Sequence, residues 1–203
     1  MTQQQLPPDL QLLCAQGKQQ SFRKGALIFK DGDKGDALYI LLEGRVRAYG
    51  SSMSGKEITY GYVEAGEYFG ELTLDGGNRS ANCEALEPSL CVVVSNAQLE
   101  AFMQEHPRFG TQMLHTVIRR ARQSTDNARS IALMDVYSRL KRTIETITPE
   151  ISKGIMITHS ELAADIGASR EMVSKLLKDL EVGGYIKVQS RLLSRLKSLP
   201  ERW

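Results

Sequence analysis

The run Thr158-His159-Ser160-Glu161-Leu162-Ala163-Ala164-Asp165-Ile166, then Gly167-Ala168, then Ser169-Arg170-Glu171-Met172-Val173-Ser174-Lys175-Leu176-Leu177-Lys178-Asp179-Leu180-Glu181-Val182 reads as two helices joined by a tight turn. Thr158 and Glu161 have the spacing of a capping box, in which a hydroxyl accepts from the N3 amide and the N3 carboxylate reaches back. Gly167 supplies the turn, Ser169 caps the second helix, and Gly183-Gly184 stops it. Val173, Leu176, Leu177 and Leu180 fall at i, i+3, i+4 and i+7, the stripe of a half-buried helix. The opposite face presents Arg170, Glu171, Ser174, Lys175 and Lys178. In a helix-turn-helix the second helix places its N-terminal residues in the major groove. Arginine and lysine can read guanine there, and glutamate accepts from cytosine N4. Thr158, His159 and Ser169 are candidates for phosphate contact. Any solvated helix also shows a charged face, so this motif alone leaves double-stranded DNA and plain solvent both open.

Working outward, Tyr185–Gln189 and about Leu193–Lys197 form a two-stranded wing, and Asp135–Thr148 reads as a helix closed by Thr148-Pro149. A long helix runs from about Arg108 to Leu133, ~38 Å at 1.5 Å per residue. Its Leu114, Val117, Ala121, Ser124, Ala128 and Ile131 are spaced three and four apart, a seam flanked by Arg119, Arg120, Arg122, Asp126 and Arg129. A narrow apolar stripe between charged flanks suits a parallel helix dimer, with packing on the chain's own sheet as the alternative. Ser124 is polar where the seam wants leucine, which costs stability unless it meets something polar.

The N-terminal half has another texture. Short apolar runs such as Leu27–Phe29, Leu38–Leu42 and Cys91–Val94 alternate with frequent glycines, the pattern of a sandwich, barrel or jelly roll. Ala97–Glu105 reads as a short helix ended at His106-Pro107. Charge divides at the same place. Residues 1–105 carry 9 Lys/Arg against 14 Asp/Glu, a net of −5, and residues 106–203 carry 17 against 10, a net of +7, which the overall +2 conceals. An acidic half joined to a basic half points to different partners for each. A chain that is 41% hydrophobic and 25% charged is ordinary for a folded globular protein. The longest apolar run, Ala37–Leu42, is far short of a membrane span, and no signal-peptide pattern opens the chain, so no membrane partner is expected. Cys14, Cys83 and Cys91 lack CxxC spacing, which points to core thiols in a reducing cytoplasm rather than to disulfides or zinc. His106, His115 and His159 are scattered, as structural or DNA-proximal residues are.

A second dense segment is Tyr68-Phe69-Gly70-Glu71-Leu72, followed by Asp75-Gly76-Gly77-Asn78-Arg79-Ser80-Ala81. Gly70 allows close backbone approach, and a helical turn after it would aim free N–H groups at an anion. Arg79 is an always-charged fork for phosphate oxygens, expected to be exposed, and Ser80 adds a donor. Glu71 would repel a phosphate and suits a sugar hydroxyl. A plain Glu71–Arg79 salt bridge across the loop explains the same residues equally well.

Four segments now fall in one order: Gly25-x-x-Ile28-Phe29-x-x-Gly32-Asp33-x-Gly35-Asp36-x-Leu38-Tyr39, the Phe69–Ala81 cassette, Ile131-Ala132-Leu133-Met134-Asp135-Val136, and Ile166-Gly167-x-Ser169-Arg170-Glu171-x-Val173. Over nearly its whole length the chain resembles the cyclic-AMP receptor/FNR (Crp/Fnr) family of bacterial transcription regulators. The resemblance implies an α+β fold with an N-terminal cyclic-nucleotide-binding β-roll (jelly roll) over 1–106, a long dimerisation helix over 107–133, and a C-terminal winged helix-turn-helix over 134–203. It implies that Gly70, Glu71, Arg79 and Ser80, with Leu72 and Ala81 beside them, hold ribose and cyclic phosphate. Arg120 would support that site from behind. Ser124 and Thr125 would face the adenine across a homodimer, in the order Ser-Thr where the cyclic-AMP receptor has Thr-Ser. Arg170, Glu171 and Lys175 match base-reading positions, with lysine where the cyclic-AMP receptor has arginine. The implied effector is cyclic AMP, and the shortened loop with Asp75-Gly76-Gly77 makes cyclic di-GMP the alternative. Cys14 stands alone where the iron–sulfur branch needs a cluster, and no haem or metal ligand set is evident.

The expected function is a cytoplasmic, homodimeric regulator that binds a two-fold symmetric operator, answers to a cyclic nucleotide and has RNA polymerase as a further partner. The alternatives are the same regulator active without ligand and, in another class, a nucleotide-binding module acting on a protein partner. An enzyme is not expected, since a nucleotide hydrolase or transferase finds no paired acid and base, metal cluster or nucleophile–His set in the sequence.

Overall fold

The computed structural model describes residues 6–151 and 153–203. By their contacts these form two units: the residues up to Gly50 with Tyr60–Ala121, and Ser51–Thr59 with Arg122–Trp203.

The first unit is built on two four-stranded sheets. One has the order β1 (Lys18–Phe22), β8 (Ser89–Ser95), β3 (Ala37–Glu43), β6 (Tyr68–Phe69), and the other β2 (Leu27–Phe29), β7 (Asn82–Ala85), β4 (Arg45–Ser51), β5 (Glu57–Glu64). β3 is apolar at successive positions because both of its faces are covered. Leu38, Ile40 and Leu42 pack with Leu10 and Leu13 of α1 (Pro8–Cys14), Leu99 and Phe102 of α2 (Asn96–Glu105), and Phe109 and Met113 of α3 (Pro107–Leu133). Leu41, pointing the other way, joins Val46, Val63, Phe69, Cys83 and Cys91, contributed by both sheets. The three cysteines are buried free thiols. Antiparallel pairing of Tyr39 with Phe69 and Ile40 with Tyr68 sets where the chain leaves β6 for the cassette. α2 begins at Ser95, which accepts from the Gln98 amide in a full capping box.

Along α3 only Phe109 and Met113 are buried, while the seam residues Leu114 and Ile131 are 57% and 40% exposed. Ala121, Ser124 and Ala128 are exposed as well and Val117 is half-buried, so most of the seam is uncovered in the single chain, which argues against its packing on the chain's own sheet.

In the second unit Asp135 caps α4 (Val136–Ile147) by accepting from the Ser138 amide at 2.7 Å. α5 (His159–Ile166) and α6 (Arg170–Val182) follow, and Tyr137, Leu140, Ile144, Leu162, Ile166, Val173, Leu177 and Leu180 make their common core. Gly167 ends α5 at φ +62°, and its amide donates to Ala163 and Ala164 carbonyls, the left-handed cap that glycine adopts at least cost. The wing is corrected from two strands to three: β10 (Ile186–Gln189), β11 (Leu192–Arg195) and β9 (Gly154–Met156), in that order. Trp203 stacks on Tyr137 with ring centroids 6.0 Å apart.

Candidate functional site

The cassette is a 3-10 turn over Glu71–Asp75 following β6. Gly70 sits at φ +86°, a conformation that favours glycine, and a Cβ there would lie 2.6 Å from Arg79 Nη1 and push the guanidinium aside. Glu71 is buried and held from α3: Arg120 donates through Nη1 to Glu71 Oε1 and through Nη2 to the Tyr68 carbonyl, each at 2.7 Å. The Arg120 guanidinium also lies 5.6 Å from the centre of the Tyr68 ring. Its two donors fix the Glu71 carboxylate relative to the start of the cassette.

Arg79 overturns an expectation. It is not an exposed fork but 4% exposed, donating through Nη1 to the Gly70 carbonyl at 3.0 Å and through Nη2 to the Ala37 carbonyl at 2.9 Å. Its guanidinium lies 4.2 Å over the Phe29 ring and 5.6 Å from that of Tyr39, which stacks on Phe69 at 5.2 Å. Two carbonyls in fork geometry and an aromatic wall satisfy the cation without a counter-ion. The Glu71–Arg79 salt bridge is corrected at the same time, because the Glu71 carboxylate takes Arg120 instead.

The structure thus brings Gly70, Glu71, Arg79 and Arg120 together. Leu72 and Ser80 are exposed nearby in sequence and Ala81 is half-buried. Ser124 and Thr125 are exposed positions about one turn beyond Arg120 on α3. Sequence reading missed Ala37 and Tyr68, which enter through main-chain carbonyls that no side chain advertises, and the aromatic wall. Phe29 and Tyr39, inside the glycine-rich run, were the available signal. Burial pushes the Tyr39 and Tyr68 hydroxyls above the ordinary tyrosine value, so both rings stay neutral beside the arginines. Among the described residues no group of three His, Cys, Asp or Glu is placed to hold a metal ion, and no helix is long and apolar enough to cross a membrane.

The second candidate site is the α5–α6 pair. Arg170, Glu171, Lys175 and Lys178 are all exposed on α6, opposite the buried Val173, Leu177 and Leu180. Ser169 accepts from the Met172 amide at 3.2 Å, and Thr158 accepts from the Glu161 amide at 3.1 Å, so both hydroxyls serve as helix caps. His159 Nδ1 and Ser174 Oγ are hydrogen-bonded to each other at 2.8 Å. An exposed basic face carried on a capped two-helix unit is the geometry of a major-groove reader.

Comparison with known proteins agrees with both halves. Residues 19–106 match the family profile of the cyclic nucleotide-binding domain, and residues 137–199 that of the Crp-like helix-turn-helix domain. The chain is similar to the CRP-like cAMP-activated global transcriptional regulator of Mycobacterium tuberculosis, at 26% identity over 207 residues, 97% of this chain and 92% of that one. It is similar to the cAMP-activated global transcriptional regulator CRP of Pasteurella multocida, at 30% identity over 159 residues, 74% of this chain and 76% of that one. In fold it is similar to the c-di-GMP-responsive global regulator CLP of Xanthomonas campestris, with a TM-score of 0.87 at 22% identity, covering 93% and 98% of the two chains. A β-roll, a long helix and a helix-turn-helix in this order, matched along three quarters or more of the length of such relatives, make the chain a member of the Crp/Fnr family of DNA-binding transcription regulators, proteins that are not enzymes.

Proposed function

We propose that the protein is a homodimer that binds a two-fold symmetric DNA operator and uses a cyclic nucleotide, cyclic AMP in the first place, as its allosteric effector. The observation that carries the reading is the uncovered seam on α3, with Leu114 and Ile131 exposed beyond a buried Phe109 and Met113. A second copy would cover this stripe and set two α6 helices for successive major grooves, ~34 Å apart. Glu71, fixed by Arg120, offers a carboxylate to a ribose hydroxyl, and Ser80 offers an exposed donor to phosphate. Arg79 would join them by exchanging the Gly70 and Ala37 carbonyls for phosphate oxygens. Across the seam Ser124 and Thr125 would meet the base, and a ligand touching both copies would bias one dimer pose over another. In this reading Arg170, Glu171 and Lys175 read bases, while Thr158, His159, Ser169 and Lys178 approach the backbone. RNA polymerase is the further partner that a transcription regulator would address.

The test is a thermal-shift panel with cyclic AMP, cyclic GMP and cyclic di-GMP, paired with gel shifts on duplexes selected by the protein. A stabilising shift with cyclic AMP that also tightens DNA binding is the expected result. A shift with cyclic di-GMP alone would move the effector to the alternative that Asp75-Gly76-Gly77 and the fold likeness to CLP favour. DNA binding indifferent to all three would remove the effector, and sedimentation as a monomer at working concentration would remove the dimer.

A further inference from the structure

We propose that Ser174 is a positioning residue for His159 rather than a reader of bases, and that the pair forms a single phosphate-binding device at the junction of α5 and α6. The inference rests on the DNA-binding reading. Ser174 lies on the basic face of α6, four residues after Arg170 and four before Lys178, where a side chain free to turn outward would meet base edges. It is not free to turn. Its hydroxyl is hydrogen-bonded to Nδ1 of His159 at 2.8 Å, and both residues are half-buried. His159 is the first residue of α5, immediately after the Thr158 cap, and the first helix of a helix-turn-helix crosses the DNA backbone.

The two nitrogens of an imidazole lie on opposite edges of the ring, so a bond at Nδ1 aims Nε2 away from Ser174. When the serine hydroxyl donates to Nδ1, the ring proton resides on Nε2. An Nε2–H donor suits a phosphate oxygen, whereas a bare Nε2 would be repelled by one. With its hydroxyl as the donor, Ser174 sets both the ring's orientation and its tautomer, and ties α6 to the backbone contact made by α5. A recognition helix clamped in this way keeps its register while Arg170, Glu171 and Lys175 read sequence.

The experiment uses the full-length protein, an operator selected by the wild type from random duplexes, and a random-sequence duplex. Affinities are measured across a salt series for S174A, S174T, H159A and the S174A/H159A double variant. H159A is expected to weaken both duplexes alike, by ~10-fold, and to leave the salt slope nearly unchanged, because a neutral Nε2–H donor neutralises no phosphate charge. S174A should weaken both by ~3–10-fold with single-base preferences unchanged, S174T should recover most of the loss, and the double variant should match H159A. Nitrogen-15 spectra of the wild-type imidazole should show the proton on Nε2. Relaxed preference at one base pair in S174A would make Ser174 a base reader and overturn the proposal, as would additive losses in the double variant or a proton on Nδ1. Failure of the wild type to select any duplex would instead strike the DNA-binding reading itself.

Discussion

At the scale of single residues, Arg79 and Arg120 carry opposite lessons about the same cassette. Both donate to main-chain carbonyls, but only Arg120 has a carboxylate, Glu71, as a partner. Arg79→Ala would leave the Gly70 and Ala37 carbonyls without a donor in a buried place, a loss of about 1–3 kcal/mol. The urea midpoint should fall accordingly, and Arg79→Lys should fall between the two, because one ammonium cannot serve two carbonyls in fork geometry. An Arg79→Ala protein that keeps wild-type stability and loses only nucleotide binding would show that the arginine spends its time on ligand. For the other pair the order of effects is the prediction. Arg120→Met strands a buried carboxylate, while Glu71→Gln removes the charge and keeps the shape, so Arg120→Met should lower the melting temperature more. Charge and spacing alone showed neither arrangement, although the family resemblance had placed Arg120 behind the site. Glu71 and Arg79 are near neighbours whose charges suggest each other, whereas the partner of Glu71 lies 49 positions away and Arg79 takes two carbonyls, that of Gly70 nearby and that of Ala37 42 positions away. A choice between near and distant partners is made by tertiary packing, which local spacing does not encode.

At the scale of elements, legibility follows the range of the interaction. The caps of α5 and α6 could be read directly because Thr158 with Glu161 and Ser169 with Met172 are bonds across three residues. β9 could not, because three residues of strand are defined only by pairing with Leu192–Ser194, far along the chain. Thr158→Ala should cost about 1 kcal/mol of stability in the second unit, since both bonds of the capping box lose their geometry. Denaturant unfolding followed by Trp203 fluorescence would read the cost, and an unchanged midpoint would mean that tertiary packing alone holds the start of α5. Asp135 gives α4 a cap that responds to pH. The Ser138 backbone amide, and next its hydroxyl, hold the Asp135 carboxyl below its ordinary value. A depressed folded-state value means that the carboxylate's contribution is present above the unfolded-state pKa of about 3.9 and is lost as pH falls through the lower folded one. Asp135→Asn keeps a good cap that does not titrate, so its acid unfolding should lack this component. Identical acid limbs for the two proteins would assign that component to other carboxylates.

At the scale of the whole molecule, the uneven charge of the sequence, −5 before residue 106 and +7 after, finds a counterpart in two separately built cores. The first gathers around β3 and includes Cys14, Cys83 and Cys91, while the second gathers around α4–α6. No cysteine lies in the second unit, and Trp203, the single tryptophan, lies in it. The chain therefore carries one native probe for each unit. Burial pushes the Cys14 thiol up to about 11 and the Cys83 and Cys91 thiols up to about 12, so almost no thiolate exists near neutral pH until the first unit opens. Trp203, packed at 6.0 Å on Tyr137 and 5.6 Å from Tyr185, should change its emission when the second unit opens. A thiol reagent should titrate none of the cysteines in the native protein and all of them in concentrated guanidinium. Across a denaturant series the thiol and fluorescence transitions should have different midpoints, because cores built from different residues need not melt together. Superimposable transitions would mean instead that the two units fold as one cooperative body, in which a change at Glu71 and Arg120 would register directly in the stability of α6.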